Sequence, residues 1–352
     1  METNMVKAYG TEATDAPLKQ MHITRREVTA TDIEIEILFC GVCHSDLHTA
    51  RNDWGGTVYP AVPGHEIVGK VTKVGSAVTK LKVGDFAGVG CLVDSCRECA
   101  SCKQDLEQYC LTGSTGTYNS RDKHLGTQTF GGYSEKVVVD EHFVLKIPAS
   151  LNLAATAPLL CAGITTWSPL RHWKAGKGTK VAVVGLGGLG HMAIKLAKAL
   201  GAEVTLFSRT AGKTKDAMEL GANDVIISTD SQQMNSVKGK FDLIIDTIPN
   251  VHNVNPYVTT LNVSGTLVLV GYLGGLEPIL NTVPMILGRK SVAGSVIGGI
   301  AETQEMLDFC GQHNIVSEIE VINIQEINQA YERMLKSDVR YRFVIDMESL
   351  KK

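Results

Sequence analysis

The chain has 352 residues, nine cysteines and a formal net charge of −3. That length sets a prior of about two domains, each able to bury its own core. Its 34 Lys and Arg are interspersed with 37 Asp and Glu rather than gathered in blocks, a balance that speaks against nucleic acid or an anionic membrane as a partner.

Met1 to Leu18 is polar and mixed in charge, without the basic start and apolar centre of a secretory signal. No apolar run reaches the ~20 residues of a membrane helix, so a cytoplasmic protein is expected. In a reducing compartment, cysteines this numerous and this unevenly placed point to metal rather than to disulfides.

Up to about Ile147 the chain reads as short strands and glycine turns. Ile33 to Ile37 and Tyr133 to Val139 carry strand period, while Val74-Gly75-Ser76 and Val83-Gly84-Asp85 read as turns. A β-rich, barrel-like domain follows from this, closed by Pro148. Leu151 to Leu160 reads as a helix leading into Cys161-Ala162-Gly163.

From Val181 the pattern changes to alternating strand and helix. Val181 to Val184 is a β-branched run typical of a parallel strand covered on both faces. After it comes Gly185-Leu186-Gly187-Gly188-Leu189-Gly190, then a helix from Gly190 to Leu200 stopped by Gly201. Gly185 permits the tight turn, Gly187 lets a pyrophosphate approach the backbone, and Gly190 lets helix and strand pack closely. The helix N-terminus offers free N–H groups to phosphates. An ordinary strand-to-helix turn is the bland reading, but the second strand, Glu203 to Phe207, also fits a dinucleotide fold.

An acidic residue at the end of that second strand would bind the 2′-hydroxyl of NAD. Ser208-Arg209-Thr210 and Lys213 stand there instead. A hydroxyl, a guanidinium and an ammonium suit a 2′-phosphate, so NADP(H) is expected. Asp224 to Ile227, Phe241 to Asp246 and Gly265 to Val270 read as later strands of a doubly wound sheet. In the tail, Glu302 to Gln312 and Glu326 to Leu335 read as helices, and Ile319 to Ile322 and Arg342 to Asp346 as strands. Such a tail suits a nucleotide domain inserted into the β-rich one.

Two sets of residues point to metal. Cys96, Cys99, Cys102 and Cys110 offer four thiolates within one loop, enough to close a tetrahedral zinc shell with no open position. An iron–sulfur cluster also takes four cysteines, although no second cysteine set or following proline supports it. Cys43, His65 and Cys161 are scattered in sequence; any one alone reads as a core residue. Together they would leave a fourth position for water or substrate, the open arrangement of a catalytic zinc.

Gly41-Val42-Cys43-His44-Ser45-Asp46-Leu47-His48, Val62-Pro63-Gly64-His65-Glu66, the four-cysteine loop, Gly185 to Gly190 and Gly294 to Gly298 together carry a resemblance over almost the whole length. The chain resembles the zinc-dependent medium-chain alcohol dehydrogenases, and within them the cinnamyl alcohol dehydrogenase branch, bacterial broad-range NADPH-dependent aldehyde reductases included. The resemblance implies an α/β chain with a GroES-like, β-rich catalytic domain, residues 1–152 and 297–352. Residues 153–296 would form a Rossmann domain with a doubly wound parallel sheet that binds NADP.

It further implies that Cys43, His65 and Cys161 hold the catalytic zinc, with Glu66 as a movable fourth ligand, and that the substrate is a small aldehyde or alcohol. Ser45, a cofactor ribose hydroxyl and His48 would relay a proton, and Asp46 would fix the His65 tautomer. His44 would approach the pyrophosphate, while Thr165, Thr247, Gly271, Ser295, Val296 and Ile297 would line the nicotinamide. Blander roles stand beside these: a surface histidine for His48, a buried salt bridge for Glu66, core packing for Trp54 and Tyr59. Cys40, Cys91 and Cys310 read as small core residues.

Lignin-pathway members carry a bulky aromatic shortly before the Tyr-Asn pair, whereas Gly116-Thr117 precedes Tyr118 here. That departure suggests a broad aliphatic and aromatic aldehyde range. The strand near Ser291 to Ile297 is expected to pair with its copy in a homodimer. A polyol or secondary-alcohol dehydrogenase, a thiolate-rich zinc store and a non-catalytic NADPH-binding sensor or structural protein are the alternatives. The ligand set and Arg209 weigh against the first, the glycine fingerprint against the second, and the intact zinc ligands against the third.

Overall fold

The computed structural model describes residues 4–271 and 274–352; the first three residues of the polar N-terminal stretch lie outside them. The chain divides into two compact units, Met1–Cys161 with Gly298–Lys352, and Ala162–Ile297.

The first unit begins with an antiparallel ribbon, β1 (Asn4–Gly10) and β2 (Lys19–Arg25). β3 (Asp32–Gly41) is the long central strand, and helix α1 (His44–Ala50) starts just beyond it. β4 (Ile67–Val74) pairs antiparallel with β3, and β5 (Phe86–Val89) with β4. The alternation at Ile33, Ile35 and Ile37 turns all three side chains into the core, each no more than 3% exposed. β6 (Leu92–Asp94) and β7 (Thr115–Gly116) form a two-stranded ribbon at the two ends of the four-cysteine loop. β8 (Lys136–Asp140) pairs with β3 and β9 (Leu145–Lys146) with β5. The strand expected from Tyr133 enters the ladder only at Lys136; Tyr133 instead accepts from the Tyr9 N–H across the ribbon.

The single helix expected over Leu151 to Leu160 is two pieces, α2 (Leu153–Thr156) and a 3-10 turn, Ala157–Leu160. Asn152 caps the first through the Ala155 N–H, and Pro158, with no N–H of its own, sits where the tighter turn begins. Cys161 follows in a non-helical conformation, φ −130° and ψ −68°.

The second unit opens with α3 (Ala162–His172) and is built on β10 (Lys180–Val184), α4 (Gly190–Ala199) and β11 (Glu203–Ser208). α5 (Thr214–Leu220), β12 (Asp224–Ile227), α6 (Ser231–Ser236), β13 (Phe241–Asp246) and α7 (Asn255–Thr260) follow. β14 (Leu261–Leu269), α8 (Val283–Gly288) and β15 (Ser291–Gly294) complete it. Among the described residues the sheet has six strands, all parallel, in the order β12-β11-β10-β13-β14-β15. The order reverses between β10 and β13, the switch point at which doubly wound sheets bind ligands. Both faces are covered, so β10 and β13 are apolar almost throughout. Phe207 and Phe241 meet edge to face, 5.4 Å between centroids.

The chain then returns to the first unit through α9 (Ile300–His313), β16 (Ile319–Asn323), α10 (Ile327–Leu335) and β17 (Arg342–Asp346), the last pairing with β3. The four tail elements lie where the periodicity put them. Among the described residues no single helix is long and apolar enough to cross a membrane.

Candidate active site and dinucleotide cradle

In the first unit, Cys43 stands just past the end of β3 as the N-cap of α1, Cys161 follows the 3-10 turn, and His65 and Glu66 immediately precede β4. One ligand atom from each of the four lies within 4.8 Å of all the others, and all four residues are buried. The Cys43 and Cys161 sulfurs are 4.0 Å apart. Two thiolates on one tetrahedral zinc stand roughly 3.8 Å apart for Zn–S bonds of about 2.3 Å. Two glycines make the crowding possible. A Cβ on Gly41 would overlap Glu66 Oε2 at 1.9 Å, and Gly64, at φ +104°, faces Tyr133 and the Cys40 sulfur.

Asp46 holds this cluster together. Its carboxylate, fully buried, accepts from the Cys43 N–H (2.8 Å), the Gly64 N–H (3.0 Å), His65 Nδ1 (3.0 Å) and the Tyr133 hydroxyl (3.3 Å). Because Asp46 only accepts, the His65 proton sits on Nδ1, leaving Nε2 as a lone-pair donor toward the thiols. Burial opposes a charged His65 and Asp46 favours it, holding its pKa above the ordinary imidazole range, so a metal at Nε2 would have to displace a proton there.

Glu66 pairs with Arg342 of β17 through Oε1, while Oε2 is buried without a hydrogen-bond partner. Burial pushes its pKa up to about 7 despite the guanidinium. An unsatisfied buried carboxylate oxygen is costly unless something of opposite charge approaches it, and this donor set of two sulfurs, one imidazole and one carboxylate suits zinc.

His48, at the end of α1, is no isolated surface histidine: its Nδ1 is 2.7 Å from Asp53, and its ring is 5.0 Å from that of Trp54. Ser45 Oγ is 3.7 Å from the Cys43 sulfur. His44 is exposed on the first turn of α1. Tyr59 donates to the Ala50 carbonyl, which ties it to packing, whereas Trp54 is half exposed. Cys40 and Cys310 are fully buried as expected. Cys91 differs: it is only partly buried, its sulfur 3.8 Å from the Leu160 carbonyl, and the neighbouring Cys161 thiol lowers its pKa.

The sulfurs of Cys96, Cys99, Cys102 and Cys110 also lie within 4.8 Å of one another, with Cys96 and Cys102 at 3.9 Å. Backbone N–H groups of Cys96, Cys99 and Leu111 point at three of these sulfurs, at 3.3–3.4 Å. Sulfurs this close would suit a single ion; a cluster of several irons needs a wider ring.

In the second unit the dinucleotide candidates gather at the C-terminal ends of the parallel strands. Gly185 turns the chain at φ +89°. A Cβ on Gly190 would meet the Gly185 carbonyl at 2.0 Å, whereas one on Gly187 would meet nothing within 4 Å. The first is required for packing and the second leaves an open cradle, flanked by Leu186, Gly188 and Leu189, before the N-terminus of α4. Ser208 ends β11, its hydroxyl bonded to the Thr210 carbonyl; Arg209 is exposed beside it, and Lys213 reaches back to the Leu186 carbonyl at 2.7 Å. Burial and the nearby Arg209 lower the Lys213 pKa, as expected where two cations await an anion.

Thr247 follows β13 and donates to the Val184 carbonyl at 2.7 Å, and Gly271 leaves no room for a side chain against the Thr247 carbonyl. Ser295, Val296 and Ile297 follow β15, and Thr165 is buried on α3. Sequence reasoning missed Arg342, Asp53, Tyr133 and the Asp246–His252 pair described below. Arg342 had a signal, a charge opening an apolar strand. Tyr133 and Asp246 had none, because burial supplies their meaning.

Two family models match: the alcohol dehydrogenase GroES-like domain over residues 29–149 and the zinc-binding dehydrogenase domain over 188–312. NADP-dependent alcohol dehydrogenase C 1 of Mycolicibacterium smegmatis is 54% identical, covering 98% of this chain and 99% of its own. Aldehyde reductase YahK of Escherichia coli is 52% identical, with coverage of 98% and 99%. Among solved structures, a cinnamyl alcohol dehydrogenase from Sorghum bicolor superposes with a TM-score of 0.94 at 44% identity, covering 98% of each chain.

Proposed function

The chain belongs to the zinc-binding medium-chain alcohol dehydrogenase family, and we propose that it is an NADP(H)-dependent reductase of aldehydes to primary alcohols, working reversibly. The observation that carries this is the buried group of Cys43, His65, Glu66 and Cys161, each with one ligand atom within 4.8 Å of the others'. The second unit adds the open glycine cradle at Gly187. A sensor or structural role would need neither.

Cys43, His65 and Cys161 would hold one zinc, with Glu66 as an exchangeable fourth ligand; Cys96, Cys99, Cys102 and Cys110 would hold a second. Bound among the first set, the ion supplies a Lewis acid for the carbonyl oxygen, and NADPH supplies the hydride. Asp46 fixes the His65 ring. Ser45 gives its proton to the oxygen that gains charge, and His48, steadied by Asp53, passes a proton in from solvent. Arg342 compensates Glu66 when its carboxylate turns away from the site. The catalytic domain is proposed as 1–152 with 297–352 and the cofactor domain as 153–296; the compact units divide later, after Cys161, which keeps that ligand in the first unit with Cys43 and His65.

Cofactor choice rests on Ser208, Arg209, Thr210 and Lys213; the pyrophosphate lies on Gly185 to Gly190 and His44, and the nicotinamide near Thr165, Thr247, Gly271 and Ser295 to Ile297. Oxidation of NADPH against a panel of aliphatic and aromatic aldehydes, with zinc quantified, tests the whole reading. Turnover with NADPH well above NADH and two zincs per chain is expected; binding of both without turnover would overturn it. In Arg209→Glu, NADPH binding weakens by roughly 10- to 100-fold, one charge-assisted contact, while NADH binding is unchanged; an equal loss for both would reject Arg209 as the discriminator.

A homodimer in the cytoplasm completes the proposal. α8 has no buried residue, Ile279, Ile286 and Leu287 are 77–86% exposed, and among the described residues β15 ends its sheet with a free edge. Light scattering is expected to give twice the chain mass, and a monomer mass at working concentration would exclude the dimer.

A further inference from the structure

His252 lies in the loop between β13 and α7, with each ring nitrogen in a hydrogen bond. Nε2 is 2.8 Å from Asp246 Oδ2, and Nδ1 is 2.8 Å from the Asn250 carbonyl oxygen. Both partners are acceptors without a proton to give. A neutral imidazole has one N–H and can serve only one of them; the imidazolium serves both. Asp246 needs that cation, being 1% exposed, with its other oxygen accepting from the Ile248 N–H at 3.1 Å. Its hydrogen bond in turn raises the His252 pKa above the ordinary imidazole value.

The clamp encloses Thr247 and Ile248, and these two residues brace the glycine turn. The Thr247 N–H and hydroxyl both donate to the Val184 carbonyl, at 3.2 and 2.7 Å. Ile248 Cδ1 occupies the space a Cβ on Gly185 would need, and the Thr247 hydroxyl lies against Gly190. A shift of this loop therefore reaches the turn whose open face, at Gly187, is the phosphate cradle.

We propose that His252 is a positioning residue for the dinucleotide: as an imidazolium it locks the Asp246–Ile248 corner against the glycine turn, and losing its proton loosens the cofactor. This rests on the dinucleotide reading of the cradle. The groups facing the ring are Asp246 from β13 and, from α7, Tyr257, with ring centroids 6.4 Å apart. Tyr257 feels the charges of Asp246 and Arg209, and its pKa is raised, chiefly by burial, so it stays neutral through the range concerned. The sign follows: a group whose folded-state pKa is raised contributes fully below its unfolded value and loses the contribution as pH rises through the folded one.

Fluorescence titration of the zinc-loaded, full-length protein with NADPH from pH 7 upward tests this, above the range in which the 2′-phosphate itself titrates. At pH 7 the wild type is expected to bind roughly tenfold more tightly than His252→Gln, the worth of one charged hydrogen bond. The ratio is expected to fall toward one as His252 deprotonates. Alkaline loss from Lys213 is common to both proteins and cancels in the ratio. His252→Lys, a cation up to a pKa of about 10.4, is expected to keep the tight binding beyond the pH at which the wild type loses it. A wild-type to His252→Gln ratio independent of pH, or a His252→Lys profile that follows the wild type, overturns the inference alone. NADPH failing to bind the wild type at any pH overturns the cofactor reading, and this inference with it.

Discussion

Cys43→Ala is expected to lower kcat/KM for aldehyde reduction by at least about 10³-fold while NADPH still binds. In the proposed ligand set the thiolate would be one of three firm ligands, and its site is buried. The Cys43 sulfur lies 4.0 Å from that of Cys161, and Arg342 feels the charges of Glu66 and of both thiolates. Without it, His65 and Cys161 cannot retain the ion, and polarisation of the carbonyl, worth several kcal/mol of transition-state stabilisation, disappears. The glycine cradle draws on none of these residues. Quantified zinc should fall from two per chain to one, because the four-cysteine loop is untouched. A variant that kept both zincs and its rate would remove Cys43 from the ligand set. Asp46→Asn should be milder: it spares every ligand but relaxes the His65 tautomer, a loss of roughly 10- to 100-fold in zinc affinity.

The contrast between what the sequence revealed and what it hid follows from locality. β12, β13 and β17 lie at their expected residues because short apolar runs between polar turns determine a strand by themselves. The glycine spacing carried its geometry as well, since the roles of Gly185, Gly187 and Gly190 depend only on neighbouring backbone. The Leu151 to Leu160 helix failed at Pro158, where apolar periodicity outweighed a missing N–H. Cys91 was misread because its neighbours in sequence are apolar while its neighbours in space are Cys161 and the Leu160 carbonyl. Arg342 and Tyr133 gain their roles from β17 and from the Gly131–Tyr133 loop meeting the end of β3, contacts between residues far apart in the chain.

Cys110→Ser is expected to act on stability before activity. The loop between β6 and β7 contains two short 3-10 turns, Cys102–Gln104 and Glu107–Tyr109, and few buried apolar side chains; Tyr109 and Leu111 are 44% and 72% exposed. A metal held by the four thiolates would therefore be its main cross-link. What they hold in place is Glu107, 1% exposed, whose carboxylate accepts from the Ile300 N–H at 3.1 Å and faces His142 Nε2 at 2.9 Å. Its loop also touches the start of α9, where a Cβ on Gly299 would overlap the Asp105 carbonyl at 1.7 Å. Losing one thiolate weakens the second metal site and, through Glu107, uncaps a 14-residue helix. A cost of about 3–5 kcal/mol is expected, a fall in Tm of roughly 10 °C, with one zinc released. Glu107→Gln keeps the bond to Ile300 and should cost about 1 kcal/mol with both zincs retained. Burial works against the Glu107 charge, but His142 and the N–H of Ile300 hold its pKa below the usual carboxylate range. Its contribution is thus present above the unfolded-state value and fades as pH falls through the folded one. Acid should narrow the gap in Tm between the wild type and Glu107→Gln, whereas a gap constant with pH would mean that Glu107 acts by shape and not by charge.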